Sequence, residues 1–260
     1  MFAGVLIKRK MLLNFVGREK RKNKMDQNKH KTILHNKHLL IETNRGVLLI
    51  DTGSPASFHE ASCIEINGRE HKVSTSYMGI TAQYLSQKIG CQISGLLGMD
   101  IMNLYEIHID IRPVSHATGD VWFFEPNESV SVRGKSIMGI PTVETLINGH
   151  KALLLFDTGA PISYIDRTYT QCAPISDTII DFSPLIGCDE FEVDRYMLTT
   201  RFDNVYGRDG KSEIAYGNTP PQIAMMLKAL QVDGIIGYDL MEKYRIVIDR
   251  GRLYFPPQGI

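Results

Sequence analysis

The sequence predicts a mainly β protein built from two similar halves. Three observations carry that expectation. Residues 47–55, VLLIDTGSP, run four apolar side chains into Asp51, and residues 153–161, LLLFDTGAP, do the same at Asp157. Apolar runs this short read as buried strands. Residues 95–110, GLLGMDIMNLYEIHID, are matched by residues 234–249, GIIGYDLMEKYRIVID. Turn signals precede both acids, at Asn44-Arg45-Gly46 and Asn148-Gly149, between apolar runs that read as hairpins. A single Asp-Thr-Gly arises by chance about once in twenty chains of this length. Two in the same context are an internal repeat.

The elements follow in order. Residues 1–38 hold eleven Lys and Arg against Glu19 and Asp26, a net charge of +9. The remaining 18 basic and 27 acidic residues leave −9. Residues 1–30 read as a solvated basic extension. The first half spans 31–126, a polar linker 127–137, and the second half 138–260. In each half a hairpin delivers its second strand to the acid. A helical segment follows, at 80–90 and at 220–232, the latter opened by prolines that suit a helix start. Next come the glycine-flanked apolar pairs Leu96-Leu97 and Ile235-Ile236. Asp100 and Asp239 then read as helix caps. The alternations Ile107-His108-Ile109-Asp110 and Ile246-Val247-Ile248-Asp249 read as half-buried strands, with Asp110 and Asp249 serving the following turns. Aromatic strands, DVWFFEP and RLYFPP, end the halves. The acid-to-glycine interval is 44 residues in the first half and 77 in the second. The extra residues fall mostly between 180 and 218.

Several classes are disfavoured. The 29 basic and 29 acidic residues balance, so nothing requires a nucleic-acid partner. No stretch approaches the about 20 apolar residues of a membrane span. FAGVLI and MLLNFV are shorter than the apolar core of a signal peptide, which favours a cytoplasmic protein. Cys63, Cys91, Cys172 and Cys188 form no CxxC and are expected as free thiols. No Cys or His pair has ligand spacing, so neither metal nor cofactor is expected. His108 and His116 have no sequence partner that suggests catalysis.

What remains is the pair of acids. A carboxylate at the end of a buried strand costs free energy unless it is paired or hydrogen-bonded. Two carboxyls held together share one proton, and their pKa values split. Such a pair can draw a proton from water and donate one to a carbonyl oxygen. Gly53 and Gly159 let two backbones approach and free an N–H for the carboxylate. Ser54 carries a hydroxyl that Ala160 lacks. Donated to Asp51, it would make Asp51 the more readily ionised acid and leave the proton on Asp157.

These motifs resemble the aspartic proteases, in which each lobe supplies one Asp-Thr-Gly loop and a later apolar-apolar-Gly segment threads beside it. Here those segments are Leu96-Leu97-Gly98 and Ile235-Ile236-Gly237. Each half resembles a retropepsin monomer, and the two on one chain resemble the bilobal pepsin-like arrangement. The resemblance implies the acid-protease fold, a pseudo-two-fold axis and an endopeptidase acting on a peptide or protein. It implies catalysis by Asp51 and Asp157, and Thr52 and Thr158 bonded across to the opposite loop. With both acids on one chain, a homodimer is not required. A flap would come from 63–79, with Asn67-Gly68 at its tip, or from the second half near NVYGRDG, which makes Tyr77 and Tyr206 the flap tyrosines. Two other readings fit the same residues. One is a peptide-binding or regulatory protein with little hydrolysis. The other is a zymogen or targeted protease whose basic head covers the cleft or docks on an anionic surface.

Overall fold

The computed structural model describes residues 28–113, 119–126, 134–175, 178–183, 188–205 and 208–256. Its strands and helices run in the same order in both halves. The first half holds β1 (Lys29–His35), β2 (His38–Thr43), β3 (Gly46–Ile50), β4 (Phe58–His59), β5 (Cys63–Ile66), β6 (Arg69–Lys72), β7 (Ser76–Tyr77) and β8 (Ile80–Thr81). It continues with α1 (Ala82–Ile89), β9 (Gly95–Leu97), α2 (Met99–Met102), β10 (Glu106–Asp110) and β11 (Asp120–Phe124). The second holds β12 (Ser136–Ile137), β13 (Ile140–Ile147), β14 (His150–Phe156), β15 (Ser163–Ile165), β16 (Ile179–Ser183), β17 (Cys188–Val193), β18 (Arg195–Val205) and β19 (Arg208–Asn218). It ends with α3 (Pro221–Ala229), β20 (Gly234–Ile236), α4 (Tyr238–Lys243), β21 (Ile246–Asp249) and β22 (Arg252–Tyr254).

The fold is mainly β, as the apolar patterning predicts. The β2–β3 hairpin closes at Thr43 and Gly46, and β13–β14 closes through Asn148-Gly149. Both residues of the second turn have positive φ, 48° and 85°, which is why Asn-Gly stands there. β9 lies parallel to β3, Leu97 opposite Ile50, and β20 lies parallel to β14, Ile236 opposite Phe156. The glycine-flanked pairs therefore form the strands beside the two acids. A side chain on Gly95 would meet the Phe58 carbonyl at 2.4 Å and one on Gly234 the Tyr164 carbonyl at 2.2 Å. α1 is capped by Thr81, whose hydroxyl oxygen accepts from Tyr84 N–H at 3.2 Å. It ends at Gly90 in the left-handed region and buries Ala82, Leu85 and Ile89. α3 opens at Pro220 and Pro221.

One nine-stranded sheet runs β22-β21-β10-β11-β1-β2-β3-β9-β4 and so draws strands from both halves. The second sheet runs β12-β13-β14-β20-β15-β19-β18, and pairing of β13 with β18 closes it on itself. A continuous apolar core crosses from Leu39, Ile50 and Phe123 to Phe156, Tyr216 and Ile248. No described helix is long and apolar enough to cross a membrane.

Two boundaries and one burial pattern differ from the sequence reading. Lys29 and His30, expected in the extension, pair with Trp122 and Val121 on β11, so the sheet begins before residue 31. The rest of the extension, residues 1–27, lies outside the described residues. Ser136 and Ile137, expected in the linker, form β12 against Pro141 and Ile140. The strand β21 is buried along its whole length rather than on one face, because β10 and β22 flank it and the core packs on it. Cys63, Cys91 and Cys172 are free thiols.

Candidate functional site

Each acid stands where a strand leaves its sheet. Asp51 N–H donates to the Leu97 carbonyl at 3.0 Å, and Asp157 N–H to the Ile236 carbonyl at 3.0 Å. The fourth residue of each loop is tied back. Ser54 carbonyl accepts from Met99 N–H at 2.9 Å and Ala160 carbonyl from Tyr238 N–H at 3.0 Å. Asp100 and Asp239 support these loops from beneath. The Ser57 hydroxyl donates to Asp100 and the Ser163 hydroxyl to Asp239, while each serine oxygen accepts from Gly98 or Gly237 N–H. Both acids sit inside the first helical turn rather than capping it, since Gly98 and Gly237 hold the cap positions. Asp110 pairs with Arg112 and Asp249 with Arg250 beside the turns they serve. His108 pairs with Glu106 at 2.6 Å; His116 lies outside the described residues.

The two loops meet face to face. Thr52 and Thr158 are fully buried and bond across the junction. Thr52 N–H donates to Thr158 Oγ1 at 3.0 Å, and Thr158 N–H to Thr52 Oγ1 at 2.9 Å. Each hydroxyl donates onward at 2.7 Å, to the Phe156 and Ile50 carbonyls that precede the opposite acids. The glycines make the contact close. A Cβ on Gly53 would lie 2.3 Å from Asp157 Oδ2, and one on Gly159 would lie 2.7 Å from Asp51 Cγ.

The carboxyl groups of Asp51 and Asp157 share a hydrogen bond. Burial pushes Asp51 well above the ordinary carboxylate range, and the charge of Asp157 and the bond to it push further. Burial also raises Asp157, but N–H groups of Gly159, Gly53 and Ala160 and the bond from Asp51 hold it down. Both carboxyls are raised, one proton is shared between them, and the pair titrates jointly. The bond expected from the Ser54 hydroxyl to Asp51 is not made. That hydroxyl donates to the Ala56 carbonyl at 2.8 Å, and what Ser54 gives Asp51 is its backbone N–H at 3.0 Å. Ser54→Ala is expected to leave the acid limb of any pH–activity profile where it stands. A shift of that limb on the substitution would contradict this geometry.

No protein-family model and no curated protein matches this sequence. The reading of the site rests on its own geometry.

A cavity of about 150 Å³ opens above the two carboxyls. Its walls are largely apolar, with Leu49, Phe58 and Leu96 from the first half and Ile223 and Ile235 from the second. Two hairpins reach over it. β7–β8 brings Tyr77 and Ile80, with Met78 and Gly79 at its turn, both at positive φ. β16–β17 brings Asp181, Phe182 and Phe191. The Asn67-Gly68 tip expected for a flap lies elsewhere. Asn67 Nδ2 donates to the Phe123 carbonyl at 2.7 Å, which docks that tip on β11. In the second half β16–β17 lines the cavity, and the tip of the segment NVYGRDG, residues 206 and 207, lies outside the described residues. Phe202, near the end of β18, instead packs against Tyr244 and Phe255. Tyr206 lies outside the described residues.

Three cavity residues escape sequence reasoning. Tyr164 follows Asp157 on β15 and donates its hydroxyl to Asp181. His38 opens β2 and stacks on Phe182 with ring centroids 6.4 Å apart. Asp181 carries the one signal that points to it, an acid closing a short apolar run, Ile179-Ile180, as Asp51 and Asp157 do.

Proposed function

We propose that the protein is an aspartic endopeptidase, with two retropepsin-like lobes on one chain in a pepsin-like, pseudo-two-fold arrangement. The observation that carries this reading is the meeting of two Asp-Thr-Gly loops, their carboxyls hydrogen-bonded at the floor of a cavity. The ionised member of the Asp51–Asp157 pair draws a proton from a water held between the acids, and that water attacks the scissile carbonyl. The protonated member donates to the carbonyl oxygen, and a proton then passes to the leaving nitrogen. The Thr52–Thr158 lattice keeps the acids in place through the proton exchange. An extended peptide lies across the cavity, with main-chain bonds of the kind an added strand makes. The β7–β8 and β16–β17 hairpins serve as flaps, Tyr77 on the first.

The test is cleavage of a mixed peptide library between pH 3 and 8 by the native protein, Asp51→Asn and Asp157→Asn. Cleavage by the native protein alone supports the reading. No cleavage at any pH by folded native protein would return the chain to the peptide-binding alternative.

A further inference from the structure

A second space of about 470 Å³ lies next to the cavity above the acids, between the turn at Asn36-Lys37, the end of α1 at Lys88 and the strand β16. His38, Ile89, Pro161, Asp181 and Phe182 line both spaces and form the wall they share. Three of these five side chains are apolar. The polar pair, His38 and Asp181, comes from opposite halves of the chain and is 4% and 7% exposed.

Both members have bonding capacity to spare. Asp181 accepts from Tyr164 on Oδ2 and from Phe182 N–H on Oδ1, the latter at 2.8 Å. A second lone pair remains on each oxygen. His38 Nδ1 is buried with no hydrogen-bond partner of good geometry, though the carbonyls of Asn36 and His35 lie near enough to favour its protonated form. A buried nitrogen left unmet is costly and marks a place where a ligand can bond.

We propose that His38 and Asp181 form a specificity subsite for a carboxamide side chain, glutamine or asparagine, on a peptide bound over the acid pair, the side chain reaching this shared wall. The inference rests on the endopeptidase reading and names a substrate feature for that site. A carboxamide carries both a donor and an acceptor, so it satisfies His38 Nδ1 in either tautomer while an N–H reaches Asp181. The competing side chains fit less well. A cation or a carboxylate brings a charge into a site where burial makes charge costly. An apolar side chain leaves the imidazole nitrogen unmet. Burial lowers the pKa of His38 and raises that of Asp181, so both are pressed toward neutral forms, which suits a neutral partner.

The experiment is a positional-scanning peptide library, cleaved by the native protein and by His38→Phe, which keeps a ring against Phe182 and removes the nitrogens. At one position Gln or Asn is expected to exceed Leu, Lys and Glu about tenfold in kcat/KM, and His38→Phe is expected to erase most of that ratio. The ratio is read within each protein, so a partly unfolded variant lowers both peptides alike. Binding of the best Gln peptide and its Leu counterpart to Asp157→Asn gives a second readout, with the same preference expected. Cleavage with no amide preference, a preference for Lys or Glu, or a ratio untouched by His38→Phe would each overturn the subsite and leave the endopeptidase reading standing. Neither cleavage by the native protein nor binding to Asp157→Asn would overturn both.

Discussion

Asp51→Asn and Asp157→Asn are each expected to lower kcat/KM by about a thousandfold while the protein stays folded. An amide fills the volume of the carboxyl but neither accepts nor releases the shared proton. Either substitution leaves a single carboxyl, which cannot serve as base and acid at once. Stability should move the other way. Burial raises the pKa of Asp51 in the folded protein above its unfolded value. The stability this group contributes is therefore full at acid pH, below the unfolded value, and is lost as pH rises through the folded value. Asparagine carries no such loss. The melting temperature of Asp51→Asn should gain on that of the native protein as pH is raised from about 4 toward neutrality. Thermal melts at a series of pH values give this directly, and a constant gap across the series would mean that the folded protein does not raise the pKa of Asp51.

Thr52→Val and Thr158→Val are each expected to cost about 2–4 kcal/mol of folding stability. Valine keeps the shape of threonine and removes its hydroxyl. In Thr52→Val the N–H of Thr158 loses its acceptor and the Phe156 carbonyl loses its donor, both at a fully buried junction. The second substitution does the same to Thr52 N–H and the Ile50 carbonyl. Two unmet backbone groups at about 1–3 kcal/mol each account for the magnitude. Urea denaturation with an unchanged slope measures it, and Thr52→Ser, which restores the oxygen, should recover most of the loss. The double variant should lose less than the sum, because the first substitution already separates the loops. A loss below about 0.5 kcal/mol in either single variant, the range of ordinary surface changes, would mean that other contacts hold the junction.

The parts of the fold legible in the sequence are those written twice. Asp51 and Asp157 close matching strands, and Leu96-Leu97 and Ile235-Ile236 lie beside them in matching parallel registers. Repetition makes such signals readable because the same local physics recurs in two contexts. What was not legible depends on a single long-range contact. Asn67-Gly68 has the chemistry of a hairpin tip and forms one, yet nothing local says that Asn67 docks on Phe123 rather than over the acids. Ser54 is a local exception: its hydroxyl stands beside Asp51 in sequence, but the turn gives it to Ala56, so the bond expected to favour ionised Asp51 is not made. His38 and Asp181 follow the long-range rule, since they lie far apart in sequence and line one wall only once β16–β17 crosses to the first half.

The sheet that joins β10 to β21 also fixes an order of events during synthesis. Ile109 pairs with Ile246, and the threonine bonds that lock the two acids join partners 106 residues apart. Contacts of such long range form late, after local hairpins have closed. While a ribosome is still making the second half, Asp51 sits at the end of an exposed strand with no partner acid. The nine-stranded sheet cannot close until the residues of β21 and β22 have emerged. The paired acids thus come together only after contacts between the two halves have formed, and under the proposed function a nascent first half carries no assembled hydrolytic site.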